Sequence, residues 1–258
     1  MMRSIRTLYP VLLALPAGLT SGCHTAPPPP AATTQPTVQY FKIDPATAGT
    51  IHGTIHFTGR KPVAKLIDMS EDPACVAAYK GKAHDESLIV GPHGVVVNAF
   101  VYVEKGLEGK VFEAPSTPVV INQQGCWFRP RVLGLEVGQP LEVVNSDPVT
   151  HNIHPMPAMN HEWNHSMGPG DEPITRKFAK PEIMIPVKCN IHSWMHAFIG
   201  VVDNPYFSTT GEDGTFTLPN LPPGTYTVAV WQEKLGIIRQ QITVTAGHDS
   251  AADLVYRQ

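Results

Sequence analysis

Residues 182–202 read EIMIPVKCNIHSWMHAFIGVV. Two apolar runs, Glu182–Val187 and Phe198–Val202, flank the loop Cys189-Asn190-Ile191-His192-Ser193-Trp194-Met195. Short apolar runs of this kind predict strands. The loop then brings a thiolate, an imidazole and a thioether onto one turn. Soft sulfur combined with imidazole nitrogen favours copper, and a blue-copper centre takes two imidazoles and a thiolate near one plane with a weak axial thioether. The second imidazole must come from a distant strand end. His151 offers it, because the expected strand Leu141–Asn145 leads straight into it. The predicted ligands are therefore His151, Cys189 and His192, with Met195 axial.

Working outward from this loop, the chain reads as strands and turns. In Ile51–Phe57, Ile51, Ile55 and Phe57 face one side and His52, Thr54 and His56 the other. Val95–Val103 is apolar on both faces, which predicts a central strand. Further strands are expected at 119–122, 132–137, 215–218, 225–231, 237–244 and 253–256. Asp213-Gly214 and Pro223-Gly224 mark turns between them. Only Asp72–Lys80 has a helical pattern. Glycine (21) and proline (26) punctuate a chain of 258 residues, which makes long helices scarce. The fold class expected is all-β sandwich. A formal net charge of −3 with no basic run argues against nucleic acid as a partner.

Around the metal-type loop the chain resembles the cupredoxins, with amicyanin nearest in loop length. The matching residues are Val137-Gly138-Gln139-Pro140, Asn145, His151-Asn152, Cys189, His192, Met195 and the strand Phe198–Val202. The resemblance is best over 126–203, within a region spanning 47–203. It implies a Greek-key sandwich, one type 1 copper, one-electron exchange with a redox partner protein, and no catalysis of its own. Asn152 and Asn145 are implied as outer residues that tie the ligand segments together. In such proteins the histidine of the loop puts its ring edge near solvent, so electrons are expected to pass through His192 within a rim of Ile191, Trp194 and Met156. Binding of copper without redox turnover is the alternative.

Thr209–Trp231 (TTGEDGTFTLPNLPPGTYTVAVW) resembles carboxypeptidase regulatory-like, transthyretin-like domains. Their pattern is Asp-Gly, an aromatic, then Pro-Gly-x-Tyr. This implies a second, smaller β-sandwich over 204–258. It supplies about four of the roughly seven strands such sandwiches need, so strands from 50–104 are expected to complete it. A cupredoxin region joined to such a domain is similar to exported bacterial proteins of the methylamine-utilisation type.

The N-terminus reads as an address. Arg3 and Arg6 precede a short apolar stretch, Leu8–Leu19, too short to span a bilayer. Leu19-Thr20-Ser21-Gly22-Cys23 resembles the lipobox of bacterial lipoproteins. It implies a signal peptide over 1–22, lipid on Cys23, and a Pro-rich tether over 23–46. The membrane is then met only through the anchor. His24 after the cysteine leans toward the periplasmic side of the outer membrane or the cell surface. With Cys23 given to lipid and Cys189 to metal, Cys75 and Cys126 remain to pair in an oxidising compartment. Two buried free thiols are the other reading.

Two features of the stretch 151–178 stand apart. His154, His161 and His165, with Met156, Met159 and Met167, could bind a second metal; a solvated loop is the plainer reading. His161-Glu162-Trp163-Asn164-His165 also fits the His-Glu-x-x-His motif of zinc proteases. That chemistry needs both histidines one turn apart on a stable helix. Pro155, Pro157 and Gly168-Pro169-Gly170 deny it one.

Overall fold

Alternating burial builds the first strand. Ile51, Ile55 and Phe57 are buried, while His52 is exposed and Thr54 and His56 half-buried. The computed structural model describes residues 38–257, and the signal peptide, Cys23 and most of the tether lie outside them. Along the chain run β1 (Gly49–Phe57), α1 (Pro73–Ala78), β2 (Ile89–Val90), β3 (Val96–Val97), β4 (Phe100–Lys105), β5 (Val119–Gln123), β6 (Phe128–Arg129) and β7 (Val132–Glu136). Next come β8 (Leu141–Asn145), β9 (His151–Pro155), β10 (His165–Met167), β11 (Ile174–Arg176), β12 (Glu182–Lys188) and β13 (His196–Val202). The chain ends with β14 (Phe207–Thr209), β15 (Thr215–Leu221), β16 (Gly224–Gln232), β17 (Gly236–Val244), β18 (Ser250–Ala251) and β19 (Leu254–Tyr256). The fold is nearly all β, and α1 is the one α-helix among the described residues.

The strands form two sandwiches. In one, a sheet ordered β10-β9-β12-β13-β7 faces a sheet ordered β11-β8-β5-β6. Ile121, Leu135, Leu141, Ile153, Ile185 and Ile199 fill the space between them. In the other, β15-β1-β18, with β19 also on β1, faces β14-β4-β16-β17. Its core holds Ile51, Ile55, Val101, Phe216, Tyr226 and Val228. Segment 49–105 thus lends β1 and β4 to the sandwich of the C-terminal strands, and 119–202 builds the other.

Two expectations are corrected. Val95–Val103 is not one strand: Asn98 takes a left-handed φ of 59° and separates β3 from β4. Its own N–H donates to the Thr210 carbonyl, so the kink is paired. Stretch 151–178 is not merely a loop, because β9, β10 and β11 lie within it. The His, Asn and Pro content of β9 hides it from a hydrophobic pattern, and β10 and β11 are only three residues long. β14 also escapes that pattern, being three half-buried residues long.

A third core welds the sandwiches back to back. Phe100, Tyr102 and Ala229 of one meet Val132, Met184 and Val202 of the other. Gly134 and Gly200 are register partners on the parallel pair β7–β13. A Cβ at Gly134 would lie 2.5 Å from the Phe207 ring and 2.6 Å from Phe100; one at Gly200 would lie 2.6 Å from Phe100. The glycines let aromatic rings seat directly on the backbone of the neighbouring sheet.

Gly134→Ala should therefore overpack the junction and cost about 1–3 kcal/mol, read as a lower urea midpoint. Retention of the wild-type midpoint would mean that the two sheets do not meet here. Glu136, at the end of β7, is buried, and burial pushes its carboxyl up to about 7. A raised acid stabilises the fold below its unfolded value and loses that contribution as pH rises through about 7. Glu136→Gln should raise Tm at pH above 7 and change it little below pH 4.5, as thermal melts at both extremes would show.

Candidate metal centre

The loop between β12 and β13 is closed by its own backbone. Cys189 N–H donates to the Met195 carbonyl (3.1 Å), and Met195 N–H donates to the His192 carbonyl (3.0 Å). His192 N–H points at Cys189 Sγ (3.4 Å). This fold of the loop turns both side chains toward one point. His151 arrives from the neighbouring strand end as the first residue of β9.

Two asparagines place it. Asn145 Nδ2 donates to the carbonyls of Val149 and Met167 (2.9 Å each), and its Oδ1 accepts from Asp147 N–H (3.1 Å). The turn 145–151 is thereby closed. Asn152 Oδ1 accepts from Asn190 N–H (2.9 Å), which ties β9 to the cysteine loop.

His151, Cys189 and His192 each expose 3% of their surface or less. His151 Nδ1 lies 3.0 Å from His192 Nδ1, and Cys189 Sγ lies 3.9 Å from His192 Nδ1. A tetrahedral ion with bonds of about 2.0 Å to nitrogen and about 2.3 Å to sulfur separates two nitrogens by about 3.3 Å and nitrogen from sulfur by about 3.5 Å. The observed spacings are close to these. Met195 is fully buried in the same core as Cys189.

Two residues absent from the sequence reading complete the arrangement. His151 Nε2 donates to Asp147 (2.8 Å), and His192 Nε2 donates to Asp72 (2.9 Å). An ionised carboxylate only accepts, so each ring carries its proton on Nε2. The two Nδ1 atoms then face each other at 3.0 Å, with the Cys189 sulfur beside them, and a metal ion would be held between these three atoms. The donor set thus fits a soft-to-borderline metal ion, with the carboxylates fixing tautomer and orientation. Asp72 reads in sequence only as the cap of a short helix, and Asp147 as a turn residue. No local signal distinguishes either.

The electrostatics agree. Burial opposes ionisation of Cys189, but the His151 imidazole and the N–H groups of His192, Asn152 and Ile191 outweigh it and bring the thiol down to about 6. Burial disfavours charge on His151 too, yet Asp147 and Cys189 raise its pKa. The His192 hydrogen bond is the main cause that lowers Asp72.

The expected solvent edge of His192 is corrected. Its ring is covered, because Asp72 and α1 lie over its Nε2, and Cys75 Sγ sits 3.6 Å from that atom. Cys75 is disulfide-linked to Cys126. Of the rim residues, Ile191 is 53% exposed and Trp194 half-buried, its ring 5.1 Å from that of His192.

The histidines of the 151–178 stretch are not brought together. His154 Nε2 bonds Glu162 (2.6 Å), His165 opens β10 opposite Ile153, and His161 is exposed. Among the described residues, the groups of three or more metal-type side chains all contain His151 or His192. Two of these groups include Cys75 or Cys126, whose sulfurs are spent on each other. Residues 161–164 form no helix, so the His-Glu-x-x-His pattern lacks the geometry a zinc protease needs.

Residues 199–257 match the carboxypeptidase regulatory-like domain family. Among solved structures, a copper-containing nitrite reductase from Thermus scotoductus is similar at 23% identity over 39% of this chain, with a TM-score of 0.32. The match spans only 26% of that reductase. A purple cupredoxin from Nitrosopumilus maritimus is similar at 20% identity over 32% of this chain and 98% of its own, with a TM-score of 0.28. An oxidised amicyanin variant is similar at 14% identity over 39% of this chain and 97% of its own, with a TM-score of 0.30. The chain matches no curated protein.

In the metal-free protein, the ultraviolet thiolate absorbance of Cys189 should titrate with a midpoint near 6. Its stabilising contribution is full above the ordinary thiol value of 9.0 and is lost as pH falls through about 6. A midpoint near the ordinary value would show that neither His151 nor the loop N–H groups reach the sulfur.

Proposed function

We propose that this protein holds one copper ion between His151, Cys189 and His192, with Met195 as weak axial ligand, and exchanges single electrons with a redox partner protein. The observation that carries this reading is the pair of Nδ1 atoms turned on each other at 3.0 Å beside a low-pKa thiol. Copper bound there supplies a one-electron couple. The residues supply its setting: Cys189 a thiolate, Asp147 and Asp72 the orientation of the rings, and the surrounding core the exclusion of water.

Burial of all three candidate ligands suits passage of electrons through the protein more than direct contact of a substrate with the metal. With His192 covered, the half-buried Trp194 ring against it is the route we assign to electrons, and exposed Ile191 belongs to the docking rim. Apolar rims suit brief encounters. We place the protein outside the cytoplasm, anchored by lipid on Cys23 and held off the membrane by its tether. The covering of His192 favours one second reading, a module that stores or delivers copper without redox turnover. Reversible voltammetry of the loaded protein separates the two.

The experiment is metal analysis with visible absorption and spin-resonance spectra of the copper-loaded protein. A thiolate-to-copper band should appear and be abolished by Cys189→Ser. Met195→Gln should keep the metal and shift the potential, because an axial ligand tunes the site without holding it. Stoichiometric zinc in place of copper, or loss of all metal from Met195→Gln, would sink the assignment.

A further inference from the structure

The carboxylates behind the two histidines stand on segments far apart in the chain. Asp147 lies in the turn before β9, and Asp72 caps α1. Each is itself held by backbone N–H groups. Asp147 accepts from Gly125 (2.6 Å) and Cys126 (2.7 Å), and Asp72 accepts from Ala74 (2.9 Å) and Cys75 (3.2 Å). One donor in each set is a cysteine, and these two cysteines are bonded to each other. A continuous path therefore runs from His192 through Asp72, Cys75, Cys126 and Asp147 to His151, closing a ring behind the metal-facing atoms.

The disulfide anchors the segment carrying Asp72 beside the metal-type loop. Stretch 58–88 adds no strand to either sandwich. Its helix has six residues, too few to persist alone. Beyond the disulfide it is held by Met69 and Ala83 in the core, by Ile67 and Tyr79 packed against that core, by Glu86 on Arg129 (2.8 Å) and by the Ser87 carbonyl, which accepts from Gln232 Nε2 (2.7 Å). Asp147 belongs to a closed turn between two strands, so the disulfide joins a carboxylate on a segment outside the sheets to one fixed within a sandwich.

We propose that the Cys75–Cys126 disulfide, acting through Asp72 and Asp147 as positioning residues, orients the two histidines as a single unit and thereby sets the metal affinity and potential of the centre. The metal part rests on the copper reading above; the orientation of the rings does not. Outer carboxylates of this kind govern metal affinity by about 10–100-fold. Two negative charges behind the rings also favour the more highly charged state of a bound ion.

The test compares the full chain with Cys75→Ser/Cys126→Ser, with Asp72→Asn/Asp147→Asn, and with all four changes together. In the metal-free proteins, nitrogen-15 resonances of His151 and His192 report which ring nitrogen is protonated. Wild type should show Nε2–H on both, and each double variant should show mixed tautomers. With copper(II) titrated against a chelator, each double variant should bind about 10–100-fold more weakly. The fourfold variant should bind no worse than the carboxylate pair, because both changes break one path. The potential should rise when the carboxylates are neutralised. A folded cysteine variant with wild-type tautomers or wild-type affinity overturns the proposal, as does a fourfold variant whose losses add. Should the cysteine variant not fold, the carboxylate pair keeps its disulfide and decides alone: unchanged affinity and potential there also overturn it. If wild type binds no copper, the copper reading fails and the tautomer comparison by itself decides the positioning.

Discussion

Two imidazoles and a thiol lie in the core of a β-sandwich, and buried polar groups must be paired or their desolvation goes uncompensated. Much of the local structure answers that demand. Asp147 and Asp72 accept the outer ring protons, and loop N–H groups turn to the Cys189 sulfur. Asn145 and Asn152 close the turn and the loop that bring the three together. The inner ring nitrogens and the Cys189 sulfur are left to face one another. A metal ion is the natural complement, and the spacing of the donors suits one.

The second sandwich acts on this centre through rigidity. β13 carries the end of the metal-type loop, and its far face packs against β4, β14 and β16. Gly134 and Gly200 remove the side chains that would hold the sheets apart. Closer to the site, Arg131 donates to the His196 carbonyl (3.4 Å) and pairs with Glu233 (2.6 Å), so the start of β13 is tied to the β16–β17 turn. A strand held on both faces gives the loop between β12 and β13 a fixed base.

The stretch 151–178 shows how composition misleads. Its histidines and methionines suggest metal chemistry, yet their partners are ordinary. Glu162 takes His154, and Met167 is buried with its sulfur accepting from Gln123 Nε2 (3.5 Å). Glu182 accepts N–H groups of Met159 and Asn160 and so fastens the stretch to β12. His165 stands opposite Ile153, the neighbour of His154, so strand alternation puts His154 and His165 on opposite faces of the β9–β10 pair.

The sequence by itself determined the all-β class and most strands, and it singled out His151, Cys189, His192 and Met195 as candidate ligands. Those features are local: strand periodicity, turn residues, and ligand types at short offsets survive in one dimension. Only the tertiary structure decided that Val95–Val103 breaks at Asn98 and that His192 is covered. It alone brought Asp72 and Asp147 behind the rings. Each of these depends on contacts between residues distant in the chain, whose local sequence is that of any helix cap or turn. A carboxylate acquires such a role only when folding brings an imidazole within hydrogen-bond reach.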